Sequence, residues 1–300
     1  MKNILIVGSG ALGTLFAARL AQAGANVTVL ATWQSAIQAF NREGACLLLP
    51  DGSSRQARVQ ATSDPRECGQ VDLALVLVKA WQTERVARQL KQCLPENALA
   101  LTLQNGLGNH ETLSACLGSQ RVLQGVTTTG ATLLAPGQAR LAGEGLVSLE
   151  AHSRSAQIAE LLSAAGFQVE IVADANTLLW GKLVINAAIN PLTALLQVPN
   201  GELLERPGAR RMLAALARET AAVAAALGIG LPFADPVAAV EDVARRTAAN
   251  QSSMLQDVKR GAPTEIDAIC GAVARAGEKQ GLATPVNWAM WQLVSALQMT

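Results

Sequence analysis

Histidine is nearly absent from this chain: there are two in 300 residues. The five cysteines (Cys46, Cys68, Cys93, Cys116, Cys270) stand far apart, with no CxxC pair. That supply is too thin for a zinc site, and no metal is expected. The odd count and wide spacing also argue against a disulfide framework, so the cysteines read as small buried thiols of a reducing cytoplasm. An excess of either charge is missing as well. Lys plus Arg number 24 and Asp plus Glu 23, for a formal net charge of +1. Phosphate backbones are bound by concentrated basic surface, so nucleic acid is not expected as a partner. No basic leader with a hydrophobic core and cleavage site opens the sequence, because the apolar run 4–7 is short and Gly8 interrupts it. Nor is there an uninterrupted apolar run of bilayer-spanning length. The expectation is a soluble, cytoplasmic protein without a membrane partner.

Half of the residues are hydrophobic, enough to bury large cores, and the length suits one or two domains. Residues 3–7 form a β-branched apolar run that stops at Gly8-Ser9-Gly10-Ala11-Leu12-Gly13. A helix-like stretch at 14–22 and a second strand-like run at 27–30 follow, at the spacing of a βαβ unit. In that context each glycine has a mechanical reason. Gly8 permits the tight turn, Gly10 leaves room for a pyrophosphate, and Gly13 lets helix and strand approach closely. The helix N-terminus supplies unpaired N–H groups for the anion. The motif predicts a dinucleotide site.

The end of the second strand normally selects the cofactor, an acid there favouring a free ribose hydroxyl. Here it reads Leu30-Ala-Thr-Trp33, with neither acid nor arginine. The missing acid leans toward NADP(H). Thr32 can donate one hydrogen bond to a phosphate, and Arg42 is the nearest basic residue in sequence.

Between 46 and 61 short strands flank the turn signal Asp51-Gly52. Residues 72–78 read as a buried parallel strand, ending at Lys79, where open α/β sheets bind ligands. A helix at 83–93 and a strand at 98–103 lead to Asn105-Gly106. That pair suits an amide reaching a nicotinamide or substrate, and equally a plain turn. Residues 124–132 read as one strand with polar residues near its end. Strand-like pieces at 139–141 and 146–149, a helix at 155–165 and a strand at 168–172 follow. Thereafter strand signals vanish and Ala/Leu-rich helical periodicity takes over. The chain is thus α/β, with an N-terminal Rossmann-type dinucleotide-binding domain at 1–173 and an all-helical domain at 174–300.

Within the helical half, residues 180–191 place Lys182, Asn186 and Asn190 four apart, on one face of an otherwise apolar helix. This is either a solvent-facing stripe or the polar lining of a cleft. Its place just past the domain boundary predicts an interdomain cleft.

Taken together, Gly8 to Gly13, Lys79-Ala-Trp-Gln82, Asn105-Gly106, the run 179–193 around Lys182, Pro199-Asn-Gly-Glu-Leu203, the run 250–257 and Thr264-Glu-Ile-Asp267 resemble the ketopantoate reductase (2-dehydropantoate 2-reductase) family over essentially the whole chain. The resemblance implies NADPH-dependent reduction of 2-dehydropantoate to (R)-pantoate, on the way to pantothenate and coenzyme A. It also implies a helical domain like the C-terminal one of 6-phosphogluconate dehydrogenase, in a monomer or homodimer. By that resemblance Lys182 is the general acid, and Glu265 an acid contacting both the lysine and bound ligand. Asn186, Asn190, Asn200, Asn250 and Ser253 are implied on the substrate. Lys79, Asn105 and Thr132 are implied on the cofactor, Asn105 close to the reacting carbon. The departure is Ala31-Thr32, where some members carry an arginine for the 2′-phosphate. Two other readings stay open: a reductase of another branched 2-keto acid, and a non-catalytic nucleotide-sensing module.

The chemistry fits these residue types. Hydride delivery to a ketone leaves charge on oxygen, which a positioned ammonium stabilises and then protonates. Apolar neighbours lower a lysine pKa and a nearby carboxylate opposes that. Ser253 suits a substrate carboxylate or a helix cap, and Glu265 suits a counter-charge to Lys182 or a helix first turn.

Overall fold

The computed structural model describes residues 1–297. The chain forms two units. The first comprises Met1–Gln104 and Asn109–Ala175; the second joins Asn105–Gly108 to the chain from Asn176 onward.

In the first unit the strands are β1 (Asn3–Val7), β2 (Asn26–Leu30), β3 (Ala45–Leu48), β4 (Ser54–Ala57), β5 (Gln60–Thr62), β6 (Leu73–Val76), β7 (Leu99–Thr102), β8 (Val122–Thr127), β9 (Gly130–Ala135), β10 (Gln138–Gly143), β11 (Leu146–Glu150) and β12 (Gln168–Val172). Its helices are α1 (Ala11–Gln22), α2 (Gln34–Glu43), α3 (Thr83–Cys93), α4 (Asn109–Leu117) and α5 (Ser155–Ala164). One sheet runs in the order β12-β11-β8-β7-β6-β1-β2-β5. From β5 to β8 each pairing is parallel. β11 turns antiparallel to β8, with β12 parallel to it. The chain builds β2 and β5 on one side of β1, then crosses to the other for β6. Ligands of open α/β sheets bind outside the carboxyl ends of the strands at such a reversal.

The apolar runs are continuous because both sheet faces are covered. Ile4, Ile6, Leu73, Leu75, Leu99 and Leu101 pack on one face with Leu15, Phe16 and Leu20 of α1. Leu5, Val7, Ala74, Val76 and Ala100 pack on the other with Val86 and Leu90 of α3. Each fully buried aliphatic side chain contributes roughly 1.5–3 kcal/mol. The second sheet, β4-β3-β10-β9, packs against α1 and carries the Asp51-Gly52 turn between β3 and β4.

Two sequence expectations are corrected in this unit. Helix α1 begins at Ala11 rather than Thr14, which brings its N-terminus up against Gly10. Residues 124–132 are two strands in different sheets, parting after Thr127, where Thr129 N bonds back to Thr127 Oγ1 (3.2 Å). A run of β-branched threonines has strand propensity throughout, so composition conceals the break.

The second unit holds α6 (Ala175–Leu196), α7 (Glu202–Glu205), α8 (Pro207–Ala226), α9 (Pro236–Arg246), α10 (Ser253–Lys259), a π-helical turn at Asp267–Gly271, α11 (Ala272–Lys279) and α12 (Pro285–Ala296). Leu183, Val184, Ala187, Ala188 and Ile189 of α6 lie at the centre of its core, against Leu213, Leu216, Val273 and Val294. By length and mean hydropathy (1.3), α6 passes as a membrane span, but 67% of that stretch is buried inside the protein. Its apolarity is that of a core helix.

Pro191 sits inside α6. Proline has no N–H, so the carbonyl of Ala187, four residues earlier, loses its helical donor. The Cys270 thiol of the π-helical turn lies 3.8 Å from that oxygen and donates to it. Cys270 is fully buried, and burial pushes its thiol up, keeping it protonated as a donor requires.

Candidate active site

The glycine loop follows from the β1–α1 turn. A methyl group at Gly13 would overlap the Gly8 carbonyl oxygen, so this position tolerates no side chain, whereas Gly10 faces open space. Gly10 is the N-cap of α1, makes no side-chain cap, and no acid stands in the first turn. The first N–H groups of the helix are therefore open to an anion without a competing carboxylate. Ser9 and Gly13 are buried, with Ala11 and Leu12 half-buried at the rim. This cradle fits a pyrophosphate.

The carboxyl edge of the sheet is braced by buried amides and hydroxyls. Gln104, just past β7, donates to the Val78 carbonyl (3.0 Å) and to Thr83 Oγ1 (2.8 Å). Thr83 Oγ1 also lies 2.8 Å from Asn109 Oδ1. This net fixes the ends of β6 and β7 and the start of α3. Its donors and acceptors come from the ends of β6 and β7 and the starts of α3 and α4, four elements, so local sequence shows no sign of it. Lys79 occupies the N-cap of a short 3-10 turn beyond β6. Thr132 falls on β9 of the smaller sheet, opposite Arg140. Thr32 is exposed just past β2. Arg42 is in the last turn of α2, about 12 Å along the helix axis from its start, and pairs with Glu43.

In the helical unit, Lys182, Glu265 and Asn105 come together. Asn105 Nδ2 donates to Glu265 Oε2 at 3.2 Å, joining residues 160 apart in sequence. The turn that presents Asn105 is clamped: Leu107 N donates to Ala268 O (3.0 Å). Gly106 has φ +81°, and a methyl there would lie 2.5 Å from the same oxygen. Only glycine meets both demands. Glu265 is buried (5% exposed), immediately before the π-helical turn, a feature frequent at functional sites. It is no surface acid of a helix first turn.

Burial lowers the Lys182 pKa to about 8, and the Glu265 carboxylate opposes the shift. An amine withdrawn from water and poised near neutrality, with a carboxylate to hold its charge, is what proton transfer near pH 7 requires. Asn186 and Asn190 follow Lys182 at one-turn intervals on α6, half-buried and buried respectively.

Asn200 is buried and donates from Nδ2 to Thr247 Oγ1 (2.9 Å); its Oδ1 lacks a donor among the described residues. Asn250 is exposed, and its carbonyl accepts from Asn200 N (3.0 Å). The serines divide two roles. Ser252, not Ser253, caps α10, accepting from Leu255 N (3.1 Å) and lying 2.7 Å from Thr193 Oγ1 of α6. Ser253 is exposed on the first turn of α10, leaving its hydroxyl outside the cap.

Comparison with known proteins meets this geometry. The family model described as ketopantoate reductase PanE/ApbA matches residues 4–154, and the model of its C-terminal part matches 174–298. The 2-dehydropantoate 2-reductase of Halobacterium salinarum is 35% identical over 302 residues, covering 99% of each chain. Among solved structures, a PanE/ApbA family ketopantoate reductase from Ralstonia eutropha superposes with a TM-score of 0.93 at 34% identity, covering 99% of this chain and 98% of that one. A D-mandelate dehydrogenase with NADH and anilino(oxo)acetate reaches the same TM-score at 30% identity and the same coverage. With both halves matched in order and at full length, the chain belongs to the ketopantoate reductase PanE/ApbA family of oxidoreductases.

Proposed function

We propose that this protein reduces 2-dehydropantoate to (R)-pantoate with NADPH, Lys182 acting as the general acid. The observation that carries the reading is the triad of a desolvated amine, a buried carboxylate and an amide at Lys182, Glu265 and Asn105. The substrate assignment rests on the relatives' names and the full-length likeness.

The nicotinamide cofactor, held through its pyrophosphate by Gly8 to Gly13, supplies the hydride when bound. The remaining work falls to the chain. The Lys182 ammonium donates a hydrogen bond to the C2 carbonyl oxygen, stabilises the charge that develops there, and passes its proton to it. With a pKa of about 8 the amine is mostly protonated at pH 7 yet parts with its proton readily. It regains a proton from solvent before the next turnover. Glu265 holds the cation in place and orients the Asn105 amide. Asn186 and Asn190 bind the substrate's carboxylate and hydroxyl groups as neutral partners, leaving one titrating group in charge of proton transfer. Asn200, Asn250 and Ser253 complete substrate binding.

A second reading has a specific observation in its favour. The end of β2 lacks an arginine, and a close structural likeness was solved with NADH and an oxo-acid derivative. Under that reading the substrate is another 2-keto acid. Steady-state kcat/KM across a panel of 2-keto acids, with NADPH and NADH, separates the two. The proposal expects 2-dehydropantoate to lead by tenfold or more. A tenfold lead for another acid would overturn the substrate assignment, and no hydride transfer to any would leave a nucleotide-sensing module.

A further inference from the structure

The 2′-phosphate of NADPH needs a cation near the end of β2, and β2 does not provide one: Ala31 is buried and Thr32 is uncharged. Arg42 lies at the far end of α2, held by Glu43. The neighbouring strand fills the gap. β5 pairs with β2 in parallel, Leu30 opposite Thr62, and the pairing is prolonged by Ala31 N donating to Thr62 O (3.0 Å). The residues following Thr62 therefore emerge beside Thr32, on the same edge of the sheet. β5 is held there by Asn41 of α2, whose side chain donates to Ala61 O (2.8 Å) and accepts from Ala61 N (2.7 Å).

The turn leaving β5 carries charge in an ordered array. Asp64 N donates to Thr62 Oγ1 (3.0 Å), and Thr62 Oγ1 donates to Glu67 Oε2 (2.5 Å). The Arg66 guanidinium is parked on Asp64, with Nε 3.0 Å from Oδ1 and Nη2 2.6 Å from Oδ2. Arg66 is 82% exposed, and ion pairs so exposed are worth little. Asp64 also accepts from Arg66 N (2.9 Å), a bond that survives if the guanidinium turns away. The turn thus offers a weakly held planar fork, suited to a phosphate, one strand over from the position that lacks it.

We infer that Arg66, released from Asp64, binds the 2′-phosphate of NADPH and sets the cofactor preference from the edge of β5 instead of β2. The inference rests on the reading of Gly8 to Gly13 as a dinucleotide site. Arg66 acts on binding and has no part in the chemical step.

The test is equilibrium binding of NADPH and NADH to the full chain, by calorimetry, for wild type, Arg66→Ala and Asp64→Asn. Arg66→Ala should weaken NADPH about tenfold or more while NADH stays within about twofold. Asp64→Asn, which frees the guanidinium, should tighten NADPH and leave NADH little changed. An NADPH-to-NADH affinity ratio unmoved by Arg66→Ala would overturn the inference while leaving the dinucleotide site standing. Failure of wild type to bind either dinucleotide would overturn the cofactor reading, and the inference with it.

Discussion

At the scale of single residues the proposed chemistry turns on one amine. The ordinary lysine pKa of 10.5 falls to about 8 for Lys182 because burial penalises the charged form, Glu265 restoring part of the difference. The folded protein thus releases this proton before the unfolded chain does. The shift costs stability below pH 8, a cost that fades as pH rises toward 10.5. In the proposed mechanism reduction uses the protonated amine, so its kcat/KM should fall as pH rises through about 8. Oxidation of the hydroxy acid needs the neutral amine and should rise through the same value. Parallel pH profiles in the two directions would contradict this. The spacing of Lys182, Asn186 and Asn190 is legible in the sequence because a helix converts intervals of four into one face. The bond from Asn105 to Glu265 is not, since no local pattern links positions 160 apart.

At the scale of elements, positions are set by hydrogen bonds that span the chain. α10 is fixed to α6 through Ser252 and Thr193, and the π-helical turn to α6 through Cys270 and the Ala187 carbonyl that Pro191 leaves unserved. Sequence patterns suggest a capping serine near 253 but cannot choose between neighbours; the choice depends on which hydroxyl the tertiary packing buries. Two predictions follow from the division. Ser252→Ala should destabilise the protein by about 1 kcal/mol, through the lost cap and the lost bond to Thr193 Oγ1, which keeps the Ile189 and Asn190 carbonyls as acceptors. Ser253→Ala should leave the thermal midpoint within a degree or so and raise KM for the keto acid instead. The reverse pattern in melting curves and kinetics would exchange the two assignments. Gly106→Ala belongs here too: a positive φ and a carbonyl 2.5 Å from the added methyl should displace the Asn105 turn, lowering kcat far more than Tm.

For the whole molecule, the order of an α/β half followed by a helical half is legible early, because buried parallel strands and core helices leave different periodicities. The assignment of Asn105–Gly108 to the helical unit is not, since those four residues interrupt an otherwise α/β stretch and declare themselves through distant partners such as Glu265 and Ala268. The split at Thr127 between two sheets is hidden for a similar reason: pairing partners, not propensity, end β8. A dinucleotide that binds only the folded chain must raise its stability. At a free concentration about 100 times Kd the gain is about 2.7 kcal/mol. NADPH titrated into a thermal melt should therefore raise Tm continuously with the logarithm of concentration, and a Tm unmoved by NADPH would contradict a folded dinucleotide site.

The most direct test of the central claim is the single-turnover rate of hydride transfer from NADPH to 2-dehydropantoate, measured for wild type and Lys182→Met with both ligands saturating. Lys182→Met should lower this rate at least about a hundredfold, with the Kd of NADPH changed by less than about twofold. Equal rates in the two proteins would remove Lys182 from the chemistry.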